Sequence, residues 1–124
     1  MGKTLRNTLI GVLFLAGLMV IASNAYASSV SYNTSSSVYL VGMVNDTSDS
    51  ATIYANTRPS AGTGGAVVTI RKSDLTYVTS KLFPYYTSVS DLTASVPSGE
   101  LRRIYIRPNT NGQTIQGDLY YGFY

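Results

Sequence analysis

The sequence predicts an all-β protein: a small antiparallel β-sandwich, immunoglobulin-like, or a partly open barrel of about seven strands, following an N-terminal signal peptide. Three observations predict it. Val, Ile, Thr, Tyr and Phe make up 38 of the 97 residues from Ser28 to Tyr124, whereas Glu occurs once and Lys and Gln twice each. β-Branched and aromatic side chains fit a pleated, half-buried surface, and the straight-chain helix formers are nearly missing. Clusters of Gly, Pro, Asn, Asp and Ser interrupt the apolar runs every 8–14 positions, and within the runs apolar and polar residues alternate with period two.

At the N-terminus, Lys3 and Arg6 precede an uncharged, mostly apolar run from Leu9 to Ala22. Ser23-Asn24-Ala25-Tyr26-Ala27 then supplies the small–x–small pattern that a signal peptidase accepts, so residues 1–27 read as a cleavable signal peptide ending at Ala27. The run of 14 residues is shorter than the ~20 needed to span a bilayer, and no second apolar stretch long enough to span follows. The expected location is therefore secreted: extracellular, periplasmic or cell surface, with no membrane span once the signal is removed.

Residues 28–36 are Ser/Thr-rich and are expected to be a flexible segment, with Val30–Asn33 a candidate for a short extra strand. Residues 37–124 are expected to form a single β domain. Its strands are predicted at 37–45, 51–57, 66–72, 75–83, 92–96, 101–107 and 114–123. The predicted core is Val38, Leu40, Val44, Ile53, Val68, Ile70, Leu75, Ile104, Ile106, Ile115, Leu119 and Phe123. The last two strands show the clearest alternation. Pairing Arg107 with Thr114 across a six-residue loop makes them a hairpin, with Ile104 and Ile106 meeting the face of Ile115, Gly117, Leu119, Tyr121 and Phe123. Arg103, Tyr105, Arg107, Gln116, Asp118 and Tyr120 then share its outer face, with Arg103 opposite Asp118.

Composition excludes much chemistry. The chain has no His and no Cys, which removes the usual neutral-pH base, the thiolate nucleophile, disulfides, and the common ligands of zinc and copper. No enzyme, metal or cofactor is expected. The formal charge of +3 includes Lys3 and Arg6; from Ser28 onward seven Lys/Arg face six Asp/Glu, and a nucleic-acid partner loses its electrostatic basis. Asp46 and Asp49 share one loop but lack a calcium-loop spacing. Asn33-Thr34-Ser35 and Asn45-Asp46-Thr47 match the N-glycosylation pattern.

The order Gly62-Thr63-Gly64-Gly65 and then Arg107-Pro108 resembles, over six residues, the second and third loop motifs of chagasin-like cysteine-protease inhibitors, which are cysteine-poor immunoglobulin-like sandwiches. Asn45-Asp46-Thr47-Ser48-Asp49 does not match the first-loop motif of that family and no aromatic follows Arg107-Pro108, so the family is not assigned.

Ten tyrosines and no tryptophan lie beyond Ala27. Tyr gives a broad apolar ring with a polar tip at low entropic cost, which suits recognition surfaces. Tyr39 and Tyr121 read as packing residues. Tyr105 and Tyr120 read as outward-facing, and Tyr85 and Tyr86 as weaker loop contacts. The expected function is a secreted, non-catalytic binding or adhesion module with a protein or glycan partner outside the cell. The alternatives are a self-assembling envelope or matrix protein and a small protease inhibitor or toxin-like effector.

Overall fold

The computed structural model describes residues 28–124; the signal peptide expected over residues 1–27 lies outside the described residues. Eight strands run in chain order: β1 (Ser28–Thr34), β2 (Val38–Val44), β3 (Ala51–Thr57), β4 (Ala66–Lys72), β5 (Tyr77–Phe83), β6 (Leu92–Val96), β7 (Leu101–Pro108) and β8 (Ile115–Phe123). They form two four-stranded antiparallel sheets, sheet I with order β1-β8-β3-β6 and sheet II with order β2-β7-β4-β5. The structure is thus a β-sandwich. Among the described residues no helix is long and apolar enough to cross a membrane.

The strand order refines the expected description. An immunoglobulin sandwich pairs its strands differently. Here β1 pairs β8, β2 pairs β7, β3 pairs β6 and β4 pairs β5, which is the order of an eight-stranded jelly roll. Only β4 and β5 form a hairpin; every other connection steps from one sheet to the other.

The inward positions of both sheets meet in one core. Ile53, Val68, Ile70, Ile104, Ile106, Ile115, Leu119 and Phe123 are buried there, as expected, together with Val96 and Phe83. Strand β2 departs from its expected phase. A bulge at Leu40, between Tyr39 and Val41, shifts the alternation, so Val41 and Met43 are buried while Val38, Leu40 and Val44 are only partly covered. Leu75 is a further correction. It adopts φ 72° in the β4–β5 turn, where its amide donates to the Lys72 carbonyl, and its side chain is 53% exposed.

Residues 28–34, in the segment expected to be flexible apart from a candidate strand at Val30–Asn33, form strand β1. Every residue of it has a register partner on β8, and the Tyr32 ring is buried against Gly117. The Thr57 hydroxyl donates to the Asp118 carbonyl, which leaves its oxygen to accept from the Tyr32 hydroxyl at 2.8 Å. That polar pair inside the apolar layer fixes β1 in place, because an unpaired buried hydroxyl would cost free energy.

One end of the sandwich is closed by Asn45, which is 1% exposed. Its amide nitrogen donates to the carbonyls of Asp49 and Val96, and its Oδ1 accepts from the amide and hydroxyl of Thr47. Arg102 lies buried at the same end and pairs with Glu100 at 2.9 Å.

Candidate functional site

The expected outer face of a C-terminal hairpin does not exist as one surface. β7 pairs with β2 and β4, and β8 pairs with β1 and β3, so Arg107 and Thr114 are not partners. Arg103, Tyr105 and Arg107 stand on the outside of sheet II. Gln116, Asp118 and Tyr120 stand on the outside of sheet I, across a core layer about 10 Å thick. Alternation fixed which way each strand faces. The loop from Asn109 to Thr114 is long enough either to turn a hairpin or to cross between sheets, and it crosses. Asp118 accordingly does not pair with Arg103; it accepts a hydrogen bond from the Ser31 hydroxyl at 2.6 Å.

The sheet II half gains new members from its neighbours. Register puts Tyr39 opposite Tyr105 and Gly42 opposite Arg103 on β2, and Val67, Thr69 and Arg71 opposite Arg107, Tyr105 and Arg103 on β4. Tyr77 and Leu82 extend the same face on β5, both exposed. The rings of Tyr39 and Tyr105 lie 5.4 Å apart, and the Arg103 guanidinium sits 5.3 Å from the centre of the Tyr39 ring. Gly42 makes room for this stack: a Cβ there would come within 2.5 Å of the Tyr39 hydroxyl.

Charge on this face is of one sign. Arg71 donates to the Leu75 carbonyl at 3.0 Å and Arg107 to the Pro108 carbonyl at 3.3 Å, while the buried Nε of Arg103 has no partner in the protein. Among the described residues the one ion pair is Arg102–Glu100, at the end of the sandwich. The other carboxylates sit in the β2–β3 loop (Asp46, Asp49), in the β4–β5 turn (Asp74), just before β6 (Asp91) and on sheet I (Asp118). Three arginines and three tyrosines thus share a sheet surface with no carboxylate on it.

The outer face of sheet I is the opposite case. Its tyrosines are Tyr120 on β8 and a stacked pair, Tyr54 and Tyr124, with rings 5.0 Å apart. Asp91 accepts from the Asn56 amide at 2.7 Å and from the Tyr124 hydroxyl. That carboxylate, as hydrogen-bond partner and negative charge, raises the Tyr124 pKa above its ordinary value; Tyr54 is raised first by burial and then by the same charge. Both acids on this face are therefore already engaged within the chain.

The remaining candidates lie at the end of the sandwich opposite Asn45. Tyr86 has φ 52°, its amide donates to the Pro59 carbonyl, and the Arg58 guanidinium lies 5.4 Å from its ring; Tyr85 meets it edge-on at 4.8 Å. These two contact their own loops and stand apart from the sheet II face. The Gly62–Gly65 and Arg107-Pro108 segments do come together here: Ala66 pairs with Pro108, and Asn109 donates to the carbonyls of Gly65 and Gly64 at 3.0 and 3.1 Å. Asn45–Asp49 lies at the far end, however, so the three loops do not form a common edge.

Among the described residues no three Asp or Glu side chains gather closely enough to hold a metal ion. No family model matches the chain, and no curated protein or solved structure matches it either. The sequence located Arg103, Tyr105 and Arg107 correctly on a strand but missed Tyr39, Gly42, Arg71 and Tyr77, because adjacency between distant strands leaves no mark on local alternation.

Proposed function

We propose that the protein is a secreted, non-catalytic binding module that engages an anionic partner in the cell envelope or extracellular space through the outer face of sheet II. The observation that carries this reading is the grouping of Arg71, Arg103 and Arg107 with Tyr39, Tyr105 and Tyr77 on a surface without a carboxylate. Like charges directly opposed across a sheet destabilise it, so an uncompensated arginine cluster fits a surface completed by a ligand. Arginine offers a planar fork matched to carboxylate and sulfate oxygens, and tyrosine adds contact area with a hydroxyl at its edge. Binding of this kind needs neither a nucleophile nor a general base.

The self-assembly alternative draws on the acids of sheet I, Asp91 and Asp118, facing away from the arginines. It is weaker because both carboxylates already accept hydrogen bonds within their own chain. An inhibitor with three converging loops is weaker still, since its first loop lies at the wrong end.

The test compares two variants of the exported protein for retention by envelope material of the producing cell. Arg71→Gln with Arg107→Gln should lose retention, whereas Tyr120→Ala, on sheet I, should keep it. Undiminished retention of a folded Arg71→Gln/Arg107→Gln protein would remove sheet II from the reading.

A further inference from the structure

We infer that the partner of the sheet II face is an acidic polysaccharide, a chain bearing carboxylate or sulfate groups, laid along β7. The inference rests on the binding reading above and adds the class of ligand.

Spacing comes first. Arg103, Tyr105 and Arg107 take alternate positions on β7 and therefore point to the same side. At about 3.4 Å per residue the two arginines stand roughly 14 Å apart, with the tyrosine midway. Arg71 is the direct partner of Arg103 on β4, and cross-strand partners lie about 4.5–5.5 Å apart at Cα. The Arg71 guanidinium is held at the Leu75 carbonyl and that of Arg103 leans over Tyr39 on the other side of β7, so each meets its own anionic group while Arg107 takes another farther along. Between them Tyr105 and Tyr39, rings 5.4 Å apart, offer apolar surface with hydroxyl edges to sugar rings. The track is cation, aromatic, cation.

Shape bears on the occupant. Four strands about 4.8 Å apart and seven residues long give a flat footprint of roughly 300–450 Å², and the cations and rings on it follow one strand, β7, with its two neighbours. A narrow track of this kind suits an extended polymer better than the broad face of a folded protein. A linear polymer needs only a narrow strip and gains strength by engaging several copies at once.

Charge decides against nucleic acid. A nucleic-acid strand carries a charge about every 3.4 Å, and three arginines over some 14 Å, in a chain with seven cations against six acids beyond Ala27, neutralise too few. Acidic groups at wider intervals along a sugar chain suit this surface better.

The experiment measures binding of the exported protein to polygalacturonate, dextran sulfate, neutral dextran, poly-glutamate and a single-stranded oligonucleotide, with sedimentation of the free protein alongside. Polygalacturonate or dextran sulfate should bind and neutral dextran should not; whichever of the two binds tells carboxylate from sulfate. Arg71→Gln with Arg107→Gln should weaken that binding at least tenfold and reduce its salt dependence by about two ions. Arg107→Gln alone, at an exposed position free of the β4–β5 turn, should give an intermediate loss if the pair disturbs folding. Equal binding of neutral dextran would overturn the inference. Preference for poly-glutamate or the oligonucleotide over both acidic polysaccharides would overturn it while leaving an anion-binding face. Self-association abolished by the arginine variants, with no polysaccharide bound, would give the face to a second copy. Variants that bind every probe as the parent does would end both the inference and the binding reading.

Discussion

Arg71 and Arg103 are direct cross-strand partners on β4 and β7, two cations on one face of sheet II with no acid beside them. The arrangement costs stability for as long as the face is empty. Replacing one by an acid turns the repulsive pair into an attractive one. Arg71→Glu should therefore stabilise the fold by about 0.2–1 kcal/mol, the usual range for such pairs, while abolishing binding of anionic polymers. Thermal unfolding and a binding titration on the same sample check both halves.

Gly42 offers a milder perturbation of the same face. An added Cβ meets the hydroxyl of Tyr39, the far end of a partly exposed side chain, and not the backbone. Gly42→Ala should change stability little, because the clash is relieved by the free end of the Tyr39 side chain swinging aside, yet tilt the Tyr39 ring away from Arg103. A several-fold loss of affinity with an unchanged melting curve is the expected result.

In the core, Ile104 on β7 and Leu119 on β8 are fully buried from opposite sheets. Either truncation to Ala should cost about 2–5 kcal/mol. Denaturant unfolding monitored by tyrosine fluorescence measures it.

Asn45 makes the sharpest polar prediction. Its side chain serves the carbonyls of Asp49 and Val96 and both donors of Thr47. Asn45→Ala should destabilise by about 1–3 kcal/mol, because the buried Val96 carbonyl loses its side-chain donor, whereas the Asp49 carbonyl keeps the Thr47 hydroxyl. The same geometry closes the Asn45 glycosylation pattern in the folded protein, whereas Asn33 is exposed on β1. Glycopeptide mass spectrometry of protein secreted from a glycosylating host should find sugar at Asn33 alone.

Alkaline pH should unfold the protein through its buried phenols. Burial raises the pKa of both Tyr32 and Tyr121 above 10.0. The unfolded chain then loses these protons first as pH rises. Their contribution is complete below pH 10 and falls above it, by up to about 1.4 kcal/mol per pH unit for each tyrosine. Tyr121→Phe should flatten that decline in a pH series of denaturant melts.

Much of the fold was legible. The breaks at Asn45–Ser50, Arg58–Gly65 and Pro97–Glu100 marked strand ends within a residue or two, because turn chemistry is local. β1 was partly legible: Val30–Asn33 offered a candidate strand, but its serines gave no apolar rhythm to fix its full length or its partner, which the β8 register and the buried Tyr32–Thr57 hydroxyl pair supply. In β2, Val38 and Leu40 pack against the core edge as partly buried residues, but the one-residue bulge at Leu40 inverts the phase beyond it, so Val41 and Met43 take the buried positions expected for Val44. The candidate site was half legible. Arg103, Tyr105 and Arg107 share a face by alternation alone, but whether Asp118 or Arg71 lies beside Arg103 depends on pairing between strands far apart in sequence.

The jelly-roll pairing has a kinetic consequence. β4–β5, β3–β6, β2–β7 and β1–β8 are successive rungs of one long hairpin, folded over on itself. Its tip is the Ser73–Thr76 turn, closed by the Lys72 amide on the Thr76 carbonyl. Closing the outer rungs first would trap a long loop, whereas zipping from the tip closes short ones, and loop entropy favours the second order. Assembly should accordingly begin midway along the chain and run outward on the millisecond-to-second scale of all-β proteins, with β1 docking last. Most of the sandwich can then form before Ser28–Thr34 takes its place beside β8.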